Sequence, residues 1–250
     1  MTLHVPNLTT DTSPEIQGQV DDAGVRRGPY QIVFKRVIDI TLALLSVPFV
    51  VPFILFLALV IALSGIIPFY SQARVGRGGK PFRMWKLRTM VRNADEYLET
   101  YLEANPDARR EWESRQKLKD DPRVTFLGRI LRKTSIDELP QLFNVLNGTM
   151  SLVGPRPMML DQKQYYHGLA YYALRPGITG LWQTSGRNHC STFQERVGYD
   201  NAYARAISFK TDLKLLFKTV GVVLRATGHE VTLTRLFCAG VPIAVLSTHC

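Results

Sequence analysis

Apolar side chains are distributed unevenly along this chain. Residues 1 to 30 hold Pro6, Pro14 and several Thr, Asp and Gly among few apolar side chains, which is the composition of a disordered tail. No apolar core follows an early basic region there, so the pattern is not that of a signal peptide. Apolar character begins at Ile38, and Ile40 to Leu63 supplies 24 residues without a charge, inside an uncharged run that reaches Ala73. As a helix, that stretch measures roughly 36 Å at about 1.5 Å per residue, against a hydrocarbon core of about 30 Å. It shows no polar face, unlike the core helix of a soluble protein. Pro48 and Pro52 sit near its middle, where each removes a backbone donor and bends the helix. Basic residues flank both ends: Arg26, Arg27, Lys35 and Arg36 before it, then Arg74, Arg77, Lys80 and Arg83 after it. The positive-inside rule places both flanks in the cytoplasm. The pattern therefore predicts a bent, re-entrant hairpin that enters and leaves through one leaflet, with a kinked spanning helix as the alternative.

Beyond the anchor the periodicity changes. Phe82 to Met90 alternates apolar and basic residues, which suits a strand, and Gly76, Gly78, Gly79 and Pro81 mark a turn before it. On such a strand Lys86 and Arg88 share a face and can point at one anion. Ala94 to Asp121 is charged and helix-like, interrupted at Asn105-Pro106, and its Tyr97, Leu98, Tyr101 and Leu102 form a packing stripe. In Ile207 to Arg225, Lys210, Lys214 and Lys218 recur on one helical face while Leu213, Leu216, Phe217, Val220 and Leu224 populate another. Such a helix can lie among lipid headgroups or cover a core.

A net charge of +10 favours anionic lipid, nucleotide or nucleic acid as partners. No recognisable nucleic-acid module with base-stacking aromatics appears, so no nucleic acid is expected. Cys190, Cys238 and Cys250 are few and scattered, which supports neither a disulfide framework nor a zinc site.

Candidate chemistry concentrates between Gly128 and Pro157. Ser135-Ile136-Asp137-Glu138 fits a capping box, but Pro140 then falls one position too deep in the helix. A helix start nearer Asp137 is easier, with Glu138 at the first helical position. Both carboxylates would then sit at the positive end of a helix dipole, in their ionised forms. An ionised Asp is a competent nucleophile toward phosphorus, and two adjacent carboxylates can hold a magnesium ion that bridges phosphates. Downstream, Pro155 and Pro157 lock the backbone on either side of Arg156, which aims a guanidinium, the group best matched to phosphate. Arg175 to Gln183 and Ser185 to Asn188 add a Gly-rich loop with Arg187.

Together these segments resemble the bacterial sugar transferase family, the monotopic phosphoglycosyl transferases. The matching pieces are Lys35-Arg36 to Asp39, Trp85 to Met90, Asp137 to Leu142, Met150 to Pro157, Arg175 to Gly180 and Ser185 to Asn188, over roughly residues 30 to 227. The chain is especially similar to short exopolysaccharide-initiating members that act with UDP-galactose. The resemblance implies a fold of the α+β, mostly helical class, divided into a tail (1–30), a re-entrant membrane anchor (31–73), a cytoplasmic catalytic domain (74–227) and a C-terminal tail of unknown role (228–250).

The same resemblance implies a reaction in two steps at the cytoplasmic face of the bacterial inner membrane. Asp137 attacks a UDP-sugar, UMP leaves, and undecaprenyl phosphate takes the phosphosugar from the enzyme. Glu138 assists in metal binding or positioning, Mg²⁺ is the implied cofactor on Asp137 and Glu138, and Arg156, Lys86, Arg88 and Arg187 contact phosphate or nucleotide. Membrane lipids are further partners, and a homo-oligomer stays open. One departure concerns the anchor, where Val47 separates Ser46 from Pro48 although this pair is often adjacent in the family. A basic, non-catalytic anchor that binds lipid or recruits proteins is the rival reading. It leaves the carboxylate pair and the proline-locked arginine unexplained.

Overall fold

A computed structural model describes residues 28–115, 118–185 and 193–224. Arg187, the three cysteines and the expected tails, apart from residues 28 to 30, lie outside these residues. A single π-helical turn, Tyr30–Phe34, leads into α1, Lys35–Leu63, and the helix continues through Pro48 and Pro52. In the turn before Pro48, Ser46 Oγ donates to the Ala43 carbonyl at 2.7 Å, a contact that itself tends to bend helices. Asp39 and Ala43 are buried at the start of α1, and Leu57, Ala58 and Ile61 near its end, but no residue from Leu44 to Phe56 is buried. The two ends dock separately: Ala43 packs with Met84, Val145 and Met150, whereas Leu57 and Ile61 pack with Leu87 and Leu131. The helix leaves the body at Ala43 and returns to it at Leu57.

Residues 64 to 73, expected as the end of the anchor, instead turn and begin a strand. β1, Phe69–Val75, pairs antiparallel with β2, Pro81–Leu87, and sets Tyr70 opposite Lys86, Gln72 opposite Met84 and Arg74 opposite Phe82. Gly78 and Gly79 close the hairpin at φ of 67° and 76°, a left-handed backbone that glycine adopts without a Cβ penalty. The strand expected over 82–90 ends at Leu87, and Met90 makes only a lone bridge with Val124. Helices α2, Ala94–Ala104, and α3, Pro106–Arg115, break where Pro106 begins the second, a position that needs no amide donor. Leu98 and Leu102 are buried against Leu118 while Tyr97 faces outward, so this stripe is packing.

Short elements follow: α4, Phe126–Thr134; α5, Gln141–Leu146; β3, Ser151–Val153; α6, Ala170–Ala173; β4, Gly177–Thr179; and α7, Leu181–Ser185. The last two helices are α8, Phe193–Ala206, and α9, Phe209–Leu224. β3 and β4 pair in parallel, Ser151 with Gly177 and Val153 with Thr179. The main core gathers Val75, Val153, Met158, Tyr166, Tyr171, Tyr203 and Leu215. Buried Asp212 on α9 accepts from Tyr30 Oη, Lys35 Nζ and Tyr203 Oη at 2.7, 2.5 and 2.7 Å, which ties the start of α1 to the last helix. The outer face of α9 carries Phe209, Leu213, Phe217 and Val220, all exposed, and Phe126 and Ile130 on α4 and Phe143 on α5 are exposed too. The described fold is mostly helical with two small sheets.

Candidate active site

Thr125 starts α4 by accepting the Gly128 amide on Oγ1 at 2.9 Å, an N-cap in extended backbone. The last turn of α4 carries Arg132 and Lys133, cations that favour a helix C-terminus. Ser135 then turns the chain in the left-handed region at φ 57° and makes no side-chain cap. It terminates α4 rather than capping the next helix, so the capping box does not form. Asp137 and Glu138 lie on a 3-10 turn, Ile136–Glu138, and α5 begins only at Gln141, with Pro140 as its N-cap. The expected helix start at Asp137 is corrected accordingly. Proline is accommodated outside the helix, where its missing N–H matters least.

α5 holds this turn against the hairpin. Buried Asn144 accepts the Trp85 amide at 3.0 Å and donates to the Arg83 carbonyl at 2.8 Å, continuing the edge of β2 with a side-chain amide. That contact brings Lys86 onto the carboxylate pair: its Nζ lies 2.7 Å from Glu138 Oε1 and 4.0 Å from Asp137 Oδ2. Arg132 approaches from α4, its Nε donating to Thr89 Oγ1 at 2.8 Å. Asp137 is only 8% exposed, and burial pushes its carboxyl up to about 6, with Lys86 opposing and Glu138 reinforcing that shift.

Arg156 and Arg74 complete the cleft with Lys86, Glu138 and buried Gln141. Pairing between β3 and β4 extends into the Gly154-Pro155-Arg156-Pro157 turn: the Gly154 amide donates to the Thr179 carbonyl and the Gly177 amide to the Pro155 carbonyl, both at 2.8 Å. Arg156 stacks over Trp182, 5.6 Å from the ring centroid. Buried Arg196 on α8 donates to the Arg156 carbonyl and also faces Trp182. Arg74 is buried on β1, and burial together with the Arg156 guanidinium lowers its pKa to about 10. Its Nε is buried with no hydrogen-bond partner among the described residues. A buried, incompletely paired guanidinium beside a second guanidinium is the setting an anionic group stabilises.

Asp137, Glu138, Lys86 and Arg156 are thus brought together. Arg88 is not: its Nε donates to the Ile67 carbonyl at 3.0 Å and its guanidinium lies over Tyr70, 5.8 Å from the ring centroid. Arg187 lies outside the described residues. Arg74, Arg132 and Arg196 were missed. Arg132 sits five residues before Asp137, and Arg74 becomes legible once the hairpin register aligns Tyr70, Gln72 and Arg74 with the Lys86 face.

Among the described residues, no group of three or more His, Cys, Asp or Glu side chains converges as a metal cage. Magnesium ordinarily takes one or two carboxylates and completes its shell with phosphates and water, so the two adjacent carboxylates fit that donor set. A buried carboxylate able to ionise near neutral pH, Asp137, thus adjoins a cleft lined by Lys86, Arg74 and Arg156. This arrangement suits attack on a phosphate whose negative charge must be offset.

Comparison with known proteins agrees in extent with this architecture. The family model described as bacterial sugar transferase matches residues 30–226. The chain is 46% identical over 196 residues to the undecaprenyl-phosphate galactose phosphotransferase of Salmonella typhimurium, covering 78% of this chain and 41% of that protein. Over 196 residues it is 45% identical to the UDP-galactose-lipid carrier transferase of Erwinia amylovora, covering 78% and 41%. The exopolysaccharide production protein ExoY of Rhizobium meliloti is 44% identical over 197 residues, covering 78% and 87%. The chain thus spans about two fifths of the length of the first two relatives. With a matched region that holds the long apolar helix, the carboxylate turn and the arginine turn alike, the chain belongs to the bacterial sugar transferase family.

Proposed function

We propose that this protein transfers a sugar 1-phosphate from a UDP-sugar, UDP-galactose or UDP-glucose, to undecaprenyl phosphate, initiating exopolysaccharide synthesis. The observation that carries the reading is Asp137, buried 4.0 Å from Lys86 with its carboxyl raised to about 6, next to a cleft lined by Lys86, Glu138, Arg74 and Arg156. A carboxylate oxygen of Asp137 forms a bond to the β-phosphorus. The bond from that phosphorus to the bridging oxygen breaks, and UMP departs with the electron pair. A phosphate oxygen of undecaprenyl phosphate then attacks the same phosphorus and frees the Asp137 carboxylate, which yields undecaprenyl diphosphate sugar.

Lys86 and Arg132 keep Asp137 ionised against the effect of burial. Arg156 and Arg74 offset charge on the phosphate oxygens, and Arg196 positions Arg156 through its carbonyl. Asp137 and Glu138 would hold Mg²⁺, which supplies further charge neutralisation when bound.

The two docking points of α1 support a re-entrant anchor. Its unburied middle, Leu44 to Phe56, enters the cytoplasmic leaflet while both ends stay with the body. Exposed apolar residues on α4, α5 and α9 suit the headgroup region, and such a placement presents the cleft to a lipid-linked phosphate.

The test incubates detergent-solubilised protein with Mg²⁺, undecaprenyl phosphate and a panel of UDP-sugars, and quantifies UMP. Wild type is expected to release UMP and Asp137→Asn none. Release of UDP in place of UMP would replace the covalent phosphosugar step with direct glycosyl transfer. Silence across the panel from folded protein would favour a non-catalytic anchor.

A further inference from the structure

A second cavity, of about 910 Å³, opens where the anchor begins. Lys35, Arg36 and Asp39 of α1, Arg77 and Lys80 of the hairpin turn, and Arg175 before β4 all line it. Five cations line it, of which Lys35 is already paired with Asp212 at 2.5 Å, and the one lining carboxylate is engaged too: Asp39 accepts Ser151 Oγ at 2.7 Å and the Leu152 amide at 3.2 Å. Arg36 is held by the Val145 and Leu146 carbonyls at 2.6 and 3.1 Å, and Arg175 by the Gly148 carbonyl at 3.0 Å. Burial, and then the Arg36 guanidinium nearby, lower the pKa of Arg175. Like charges crowded around one hollow are stabilised when an anion enters it.

The surroundings say where that anion comes from. Ile32, itself on the wall, is followed by Val33, Phe34 and Val37, all exposed and apolar at the start of α1. They lead toward the unburied middle of the helix, and the re-entrant placement proposed above sets the cavity mouth where acyl chains meet headgroups. The volume lies in the range of small-molecule sites, about 300–1,000 Å³. No lining residue is shared with the Asp137 cleft. Along β2, Phe82 on the cavity and Lys86 on the cleft are four residues apart, roughly 13 Å of strand.

We infer that this cavity binds the phosphate headgroup of an anionic membrane phospholipid, at a site separate from the Asp137 cleft. The inference goes beyond the transferase reading, and its test reads lipid occupancy rather than turnover, so either can fail without the other. Full-length protein in neutral detergent would be titrated separately with dioctanoyl phosphatidylglycerol, dioctanoyl phosphatidylcholine and inorganic phosphate, and with phosphatidylglycerol in the presence of UDP, with native mass spectrometry counting bound molecules. Phosphatidylglycerol is expected to bind one to one, at least tenfold tighter than phosphatidylcholine or phosphate. Arg77→Gln and Lys80→Gln should each weaken it about fivefold, while Lys119→Gln and Asp137→Asn leave it unchanged. Arg77 and Lys80 are exposed, and equal lipid-free thermal midpoints would show that the variants fold. Equal binding of the two lipids, or unchanged affinity in both cavity variants, would overturn the inference. Phosphate binding as tightly as lipid would make the cavity a free-anion site, and competition by UDP would make it part of the nucleotide site; either result sinks the lipid assignment.

Discussion

At the residue scale, Asp137 combines a cost of burial with the nucleophilic role proposed for it. Its carboxyl is raised from 3.8 to about 6 by burial, so at pH 7 about nine tenths of it is ionised. At limiting Mg²⁺ the rate of UMP release should therefore rise with pH through a midpoint near 6 and level off above it. Lys86→Gln removes the cation 4.0 Å from Asp137, and the midpoint should move upward by about one unit. A midpoint that stays near 6 in Lys86→Gln would show that another group controls the rate. The same shift has a consequence for stability. The folded state holds the Asp137 proton more tightly than the unfolded chain, so this residue's contribution is fully present below pH 3.8 and is lost as pH rises through about 6. Asp137→Asn should thus stabilise the fold above pH 6, by up to about 3 kcal/mol, and give little gain near pH 4. Thermal unfolding across pH checks it, and an Asn variant less stable at pH 8 would contradict the burial argument.

At the element scale, the arginine turn depends on how closely two short strands approach. A Cβ on Gly177 would lie 2.1 Å from the Gly154 amide nitrogen and 2.4 Å from the Thr179 carbonyl oxygen, both rigid backbone atoms. Gly177→Ala should destabilise by roughly 3 kcal/mol, read as a lower thermal midpoint and a higher KM for UDP-sugar as Arg156 shifts. A methyl added at Gly198 in α8 would meet nothing within 4 Å, and Gly198→Ala should instead leave stability unchanged or raise it by up to about 1 kcal/mol. Elements of this kind differ in how far the sequence announces them. The alternation after Pro81, the break at Asn105-Pro106 and the amphipathic run of α9 are local patterns, and each was legible. The carboxylate pair, Lys86 and Arg156 were legible as candidates, and the fold brings them together. Ser135 was not, because whether it caps one helix or ends another depends on α4 reaching Thr134. Arg74 reads as a flanking surface cation until pairing with β2 buries it beside Arg156. Arg196 reaches its role only through tertiary contact across 40 residues.

At the scale of the whole molecule, the question is how a 29-residue apolar helix can belong at both ends to one body. Straight, it would measure roughly 43 Å, and Ala43 to Leu57 alone roughly 21 Å. Ala43 nevertheless packs on Met84, and Leu57 falls in the same cluster as Leu87, three residues along β2 or roughly 10 Å. Two prolines inside the helix, Pro48 and Pro52, are where a bend that brings the ends together is expected, and Asp212 fixes the starting end through Lys35 and Tyr30. A re-entrant helix keeps both ends on the cytoplasmic side, whereas a spanning helix separates them. Val33 and Ile67 flank α1 and are exposed, so each can be replaced singly by cysteine after Cys190, Cys238 and Cys250 are changed to serine. With a membrane-impermeant maleimide, neither Val33→Cys nor Ile67→Cys should react in intact spheroplasts, and both should react in inverted vesicles. Labelling of one site in each preparation would establish a spanning helix and would detach one docking cluster from the body. The proposed membrane arrangement of the cleft stands or falls with that result, because both docked ends of α1 can stay with the body that carries Asp137 only if the helix returns to the leaflet it entered.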